Sequence, residues 1–96
     1  MLHLIFQSPI ATAILERIAA GDDVVFLENA VLRLLHKGSF SDVLAQLLLQ
    51  NRLYVLAEDL EVRGIGADEL VNGITVIDYA GLVGLTVSNP SILSWS

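Results

Sequence analysis

Asp22-Asp23-Val24-Val25-Phe26-Leu27-Glu28-Asn29 sets an unbroken apolar run, led by two β-branched valines, between two polar pairs. A strand with one wet face would alternate apolar and polar residues. A continuous run suits a parallel strand covered on both faces. Asp22-Asp23 supplies the turn into it, and Glu28-Asn29 opens the next connection. Upstream, Leu2 to Gln7 is expected to form a short buried strand. Ser8-Pro9 then has the chemistry of a helix start: serine accepts from an orphan N–H, and proline at the first helical position gives up no needed donor. Behind it Ile10, Ile14 and Ile18 recur every fourth residue with Ala11 and Leu15 beside them, while Thr12, Glu16 and Arg17 take the other side. Gly21 is placed to end this helix in the left-handed conformation.

Downstream, Ala30 to His36 reads as a short helix stopped by Gly38. Phe40, Val43, Leu44, Leu47 and Leu48 repeat at helical spacing, with Ser39 or Ser41 as the cap. Leu53 to Ala57 is the third strand, and a helical crossover makes it parallel to its neighbour. Glu58 to Arg63 is one helical turn or two, ended by Gly64. The stretch from Gly66 to Gly73 carries a weaker pattern, with a turn at Asp68-Glu69-Leu70-Val71. Ile74 to Ile77 is the fourth strand. Asp78 caps a final helix to about Val87, which Gly81 and Gly84 weaken by roughly 1 kcal/mol each relative to alanine. Ser88-Asn89-Pro90 breaks that helix and leaves a tail, Ser91 to Ser96, holding the only tryptophan. The alternation of strands and helices makes the class α/β, a sandwich around a small, mainly parallel sheet of four or five strands. Four strands are readable, and a fifth has no assigned position.

The chain has 96 residues, the size of a single domain spanning 1–96. At 54% hydrophobic and 17% charged it is more apolar than an ordinary globular domain, for which roughly 45–50% and about 25% are usual. So small a domain has too much surface to hide all of this, and the excess is expected to cover a subunit interface. No apolar stretch approaches the roughly 18 residues of a membrane span. Met1 to Gln7 lacks the basic leader and small-residue cleavage site of a signal peptide, so the cytoplasm is the expected compartment. The net charge is −6, and Arg17, Arg33, Lys37, Arg52 and Arg63 are scattered, which argues against direct binding of nucleic acid.

In parallel α/β sheets, sites gather at the carboxyl ends of the strands. Those ends collect Glu28, Glu58, Asp59 and Asp78, a set able to attract Mg²⁺ or serve acid–base chemistry. The preferred reading is plainer: Asn29, Asp59 and Asp78 cap helix N-termini. His3 and His36 lack companion ligands for a metal. His3 is expected to be a partly buried strand residue with one hydrogen-bonded neighbour, and His36 a cation at a helix C-terminus. No glycine-rich phosphate loop, no Ser-His-acid order and no cofactor motif is present. The chain contains no cysteine.

The order of elements brings a family into view. Met1-Leu2-His3 with Ser8-Pro9, the Gly21-Asp22-Asp23 turn, and Glu28-Asn29-Ala30-Val31 carry the first part of it. Tyr54-Val55-Leu56-Ala57-Glu58-Asp59-Leu60 with Arg63-Gly64, Ile74 to Tyr79, Leu85-Thr86-Val87 and Trp95 carry the rest. In this order and spacing, over nearly the whole chain, the sequence resembles the TusB/DsrH family, small subunits of the DsrE/DsrF/DsrH-like sulfur-relay proteins. The resemblance implies a three-layer α/β/α sandwich that assembles with TusC/DsrF-like and TusD/DsrE-like subunits as a dimer of heterotrimers. It also implies a role in relaying sulfur, toward 2-thiolation of the wobble uridine of certain tRNAs in one branch and in sulfur oxidation in another. The sulfur-accepting cysteine belongs to the TusD/DsrE-type partner. Some small subunits of the family carry a cysteine in the first helix, and this chain departs from them.

A chain without a thiol cannot carry a persulfide. The expected role is therefore non-catalytic and works by contact, with self-association expected when the chain is alone. Glu58, Asp59, Arg63, Tyr79 and Trp95 are the expected contact residues. Ile92, Leu93 and Trp95, beyond the proline break, either fold back on the chain's own core or dock against a neighbour. A rival reading is a homo-oligomeric binding protein of the same fold that uses the acidic strand-end edge for a metal or small ligand.

Overall fold

The computed structural model describes residues 1–7, 12–38 and 40–95. The cap at Ser8-Pro9, Ile10, Ala11, the side chains of Thr12 and Ile14, the alternative cap Ser39, and Ser96 lie outside the described residues. The chain runs β1 (Leu2–Ile5), α1 (Thr12–Arg17), β2 (Asp23–Phe26), a 3-10 helix (Glu28–Leu34), α2 (Ser41–Leu48) and β3 (Arg52–Leu56). It continues with α3 (Ala57–Val62), a short 3-10 turn (Ala67–Glu69), β4 (Thr75–Ile77), α4 (Tyr79–Ser88) and β5 (Ile92–Trp95). The five strands form one sheet in the order β4-β3-β2-β1-β5, every neighbouring pair parallel.

From β1 to β4 the chain steps across the sheet in one direction. The last crossover reverses and carries β5 to the far side of β1. Right-handed crossovers then place α1, α2 and α3 on one face and α4 alone on the other. The packing divides the same way. On the first face Ile5, Val24, Phe26, Leu53 and Val55 pack with Ala30, Val31, Leu34, Leu44 and Leu60. On the second, Leu2, Val25, Leu27 and Leu56 meet Leu82 and Leu85 of α4, with Leu4, Phe6, Tyr54 and Ile77 only half-buried.

Register explains why the apolar runs do not alternate. Val24 sits beside His3 and Leu53, and Phe26 beside Ile5 and Val55, all toward the first face. Val25 sits between Leu4 and Tyr54, toward the second. Val24, Val25 and Phe26 are fully buried, as a central parallel strand requires.

The structure corrects some expectations and resolves one that was left open. The segment read as Ala30 to His36 is a 3-10 helix, Glu28–Leu34, which buries Ala30, Val31 and Leu34. Val31 and Leu34, three apart, eclipse on one side at this tighter pitch. Beyond it the backbone is pulled into extended form: Leu35 bridges Leu70, and Val71 N–H donates to Leu34 O. The tail resolves into the fifth strand. Leu2 N–H donates to Ser91 O at 2.9 Å and Phe6 N–H to Trp95 O at 3.1 Å, so the chain's own sheet holds it. Gly21, at φ 89, follows α1 only after an irregular stretch, and its N–H donates to Gln50 O. Gly64, at φ 67, does end α3 as expected.

Phe26 and Leu44 are fully buried at the centre of the first-face core, whereas Leu49 on α2's edge is 78% exposed. Phe26→Ala and Leu44→Ala are each expected to lower the unfolding free energy by about 2–5 kcal/mol. Leu49→Ala should change it by less than about 0.5 kcal/mol. Urea titration of the three variants checks this, and a comparable loss for Leu49→Ala would contradict the packing described.

Candidate functional site

At the carboxyl ends of β2 and β3 a polar cluster forms from residues that the sheet brings side by side. Glu28 leaves β2 at φ 50, the one non-glycine residue with positive φ among those described. That left-handed turn costs a non-glycine residue about 1–2 kcal/mol. It presents the Glu28 N–H to Asp59 Oδ2 at 2.8 Å. Asp59 therefore receives the first N–H of the 3-10 helix rather than capping α3, which has no side-chain cap. Arg63, one turn further along α3, binds the same cluster from above. Its Nη1 donates to Asp59 O at 3.1 Å, with Asp59 Oδ1 at 3.7 Å, and its Nη2 donates to Asn29 Oδ1 at 3.0 Å. Asn29 thus serves as an acceptor for arginine and not as a cap. Asp78 does cap as expected, accepting from Gly81 N–H at 2.8 Å at the head of α4.

The expected contact residues divide accordingly. Asp59 and Arg63 are partners, and Glu58 stands beside them with its Oε1 buried and without a hydrogen-bond partner among the described residues. Tyr79, 57% exposed, heads α4 beyond the end of β4. Trp95 lies at the opposite edge of the sheet, on β5. Among the described residues no group of three acidic or histidine side chains is placed to hold a metal, so the acidic edge does not assemble the donors that a cation site needs. Two shallow hollows, of about 250 and 350 Å³, flank His36 and contain no residue of the strand-end cluster.

A second polar network joins the amino-terminal strand to the tail. His3 is fully buried, deeper than its sequence suggests. Its Nε2 lies 2.9 Å from Asp22 Oδ2, and its Nδ1 accepts from Trp95 Nε1 at 3.3 Å. An indole nitrogen can only donate, so Nδ1 must be the unprotonated nitrogen and Nε2–H the donor to the carboxylate. Asp22 also accepts from Ala19 N–H at 3.0 Å and from the terminal ammonium of Met1 at 3.2 Å. Partial burial pushes the Asp22 carboxyl upward. The hydrogen bonds from His3, Ala19 and the ammonium, with the ammonium's charge, outweigh it and hold the group below its ordinary 3.8.

The third feature is α4. Leu82 and Leu85 face the sheet, yet the opposite side carries Tyr79, Ala80, Val83, Gly84 and Val87, all exposed. Val83 is 59% and Val87 81% exposed. No residue of Tyr79–Ser88 is charged and none is buried. A helix apolar all round ordinarily lies inside a protein. Tyr79-Ala80-Gly81-Leu82-Val83-Gly84-Leu85-Thr86-Val87 offers no polar side to water, a signal present in the sequence but absorbed there into the reading of a weak helix. The link between His3, Asp22 and Trp95 had no such signal, because only the position of β5 brings the tryptophan to the histidine.

Five parallel strands, three crossovers on one face and a single apolar helix on the other define a small α/β/α protein whose distinctive surfaces are suited to contact. The chain belongs to the DsrH-like protein family, whose model matches residues 6–92. It is 38% identical to Protein TusB of Erwinia tasmaniensis and 33% identical to Protein TusB of Escherichia coli. Each alignment spans 99% of this chain and all of the relative. Among solved structures the fold is similar to a protein of unknown function from Methanobacterium thermoautotrophicum, with a TM-score of 0.78 at 15% identity over 98% of this chain and 96% of that one. It is also similar to the ychN protein of Escherichia coli, with a TM-score of 0.79 at 16% identity over 98% and 97%.

Two outcomes follow. A carboxyl group held below its unfolded pKa stabilises the fold fully above the unfolded value, and that contribution disappears as pH falls through the folded value. Stability should therefore decline as pH drops below about 4, and Asp22→Asn should be less stable near neutrality and show a shallower decline. Urea titrations from pH 7 to pH 3 measure this, and parallel curves for the two proteins would contradict it. Asp59→Ala strips the acceptor from Glu28 N–H and from Arg63, and is expected to cost about 1–2 kcal/mol in the same assay.

Proposed function

We propose that this chain is a non-catalytic subunit of a cytoplasmic sulfur-relay complex that leads to 2-thiouridine at the tRNA wobble position. One observation carries the reading: a chain related over its full length to proteins named TusB contains no cysteine. In persulfide relay the acceptor thiolate attacks the outer sulfur of a donor persulfide. A new S–S bond forms, the old one breaks, and the donor departs as a thiolate. This chain has no group for either position. Its contribution is to hold and shape a TusD/DsrE-type subunit that owns the cysteine, together with a TusC/DsrF-type subunit, in a dimer of heterotrimers.

Glu58, Asp59, Arg63, Tyr79 and Trp95 are the proposed contact residues. Arg63, part-exposed and already oriented by Asn29 and Asp59, presents a planar cation with little rotamer freedom left to lose. The net charge of −6 keeps the tRNA phosphates away from this subunit, so the nucleic acid is met through the partners.

The test is co-expression of the untagged chain with affinity-tagged TusC- and TusD-type subunits from the same genome. All three should copurify in equal amounts. Labelled sulfane sulfur should load on the cysteine-bearing subunit and never on this chain. Cells lacking this chain should lose wobble 2-thiouridine, read by mass spectrometry of tRNA nucleosides. Intact thiolation in the deletion strain, or a chain that stays monomeric and ignores both partners at micromolar concentration, defeats the proposal.

A further inference from the structure

The tail strand β5 lies at an edge of the sheet, and a side-chain bond from its last residue reaches the buried interior. His3, fully buried on β1, has a partner on each side of its ring. Its Nε2–H donates to Asp22 Oδ2 at 2.9 Å, and its Nδ1 accepts the indole N–H of Trp95 at 3.3 Å. The two rings are inclined by only 14° with their centroids 6.5 Å apart. At that separation they meet edge to edge, which aims the indole N–H at the imidazole lone pair. The two partners are held unequally. Asp22 is fixed by the Met1 ammonium and Ala19 N–H on its carboxylate, and by Asn51 Nδ2 on its carbonyl. Trp95 ends a four-residue strand that follows Pro90.

We propose that His3 is a proton-operated latch on β5, closed while its imidazole is neutral and opened when Nδ1 takes up a proton of its own. A neutral imidazole donates on one side and accepts on the other, whereas an imidazolium only donates. A proton on Nδ1 therefore sets two N–H donors against each other across 3.3 Å. The bond from Nε2–H to the Asp22 carboxylate becomes charge-assisted at the same moment and strengthens. One partner is kept and the other is dropped. Trp95 is only half-buried, so water can accept its N–H once the ring turns outward. Release of β5 frees Leu2 N–H from Ser91 O and Phe6 N–H from Trp95 O, and leaves β1 as the edge of the sheet.

The charged groups around the ring fit this role. Asp22 faces it and supplies the counter-charge that a buried imidazolium requires. Burial pushes the Asp22 carboxyl upward, but its hydrogen bonds hold it below 3.8, so it stays ionised throughout the range in which imidazoles titrate. The Met1 ammonium faces Asp22 and not the imidazole. Asp23 of β2 turns to Asn89 Nδ2 at 3.1 Å. Glu16 and Arg17 of α1 and Arg52 of β3 are exposed, and Ile92–Trp95 carries no charge. The latch belongs to this chain's own fold and holds whether or not the relay reading does.

The only tryptophan gives a single indole N–H resonance, so NMR of the full chain between about pH 8 and about pH 5 reads the latch directly. The indole signal should move with the midpoint of the His3 imidazole and not with that of the exposed His36. Over the same range hydrogen exchange at Phe6 N–H, corrected for its intrinsic rate, should rise about three- to tenfold relative to Leu27 N–H. Leu27 N–H donates to Ile5 O on the other side of β1 and reports on the rest of the sheet. His3→Asn, whose Oδ1 accepts from the indole at any pH, should hold the indole signal constant. Trp95→Phe deletes the donor and should raise Phe6 exchange at pH 8 and remove its pH dependence. Should His3→Asn fail to fold, the unmodified chain and Trp95→Phe are decisive by themselves. An indole signal that stays put while His3 titrates overturns the latch, and so does a His3 that takes up no proton above about pH 5. Phe6 exchange that rises no more than Leu27 exchange, or keeps its pH dependence in Trp95→Phe, overturns it too.

Discussion

An all-parallel sheet has to bury both faces, because each strand can reach its neighbour only by a crossover lying over one face or the other. Here the direction of the chain decides how that burial is shared. Three successive steps from β1 to β4 put three crossovers on one side, and a single reversed step puts one helix on the other. The first face receives the 3-10 helix and three α-helices, and the residues of β1, β2 and β3 that point to it are buried. The second face has one ten-residue helix to roof five strands. Incomplete cover there follows from topology, and the uncharged outer side of α4 continues the apolar surface outward.

The reversed step also explains one of the two polar networks. Moving β5 beside β1 brings Trp95 to His3, and His3 then ties the tail to the Asp22 turn ahead of β2. An edge strand of four residues has few ladder bonds, and this link adds to them and to the packing of Trp95 against the core. At the opposite ends of β2 and β3, Asp59 and Arg63 connect α3 to the start of the 3-10 helix, and the left-handed turn at Glu28 gives that helix its entry angle. Asp59 and Asp78 at this edge spend their oxygens on backbone N–H groups, and Asp59 also faces a guanidinium. Their clustering is structural chemistry, because helix starts and strand ends coincide in this fold and helix starts favour negative charge.

What the sequence made legible was whatever depended on short-range periodicity. Val24 to Leu27 announces a buried parallel strand, Phe40 to Leu48 a helix with one apolar side, and Asp78 a cap, because each statement rests on neighbours a few residues away. Strand ends shifted by one or two positions, as at β1 and β4, since hydrogen bonding and not hydropathy sets them. Long-range pairing was less accessible. Ile92 to Trp95 carries strand chemistry, but four residues after a proline do not say which edge they join. The 3-10 helix was hidden for a related reason: Ala30, Val31 and Leu34 fit either pitch, and only the bridge from Leu35 to Leu70 selects the tighter one. Among the expected contact residues, Asp59 and Arg63 proved to be partners through local spacing, whereas Tyr79 and Trp95 share nothing but the strand-end side of the sheet.

Contact and stability are separable in this molecule, and that bears on what a thiol-free subunit can be. The residues that hold the fold, Phe26, Leu34, Leu44 and their neighbours, lie on the first face beneath three crossovers. The outward residues of α4 touch none of them, and changes at well-separated sites generally add without coupling. Surface chemistry on the outward side of α4 can therefore change to suit a partner without loosening the core. A subunit that performs group transfer must keep a nucleophile in fixed geometry, which ties its surface to its interior. A subunit that works by contact is free of that tie, and an enclosed core beside an uncovered apolar helix suits the role proposed for this chain.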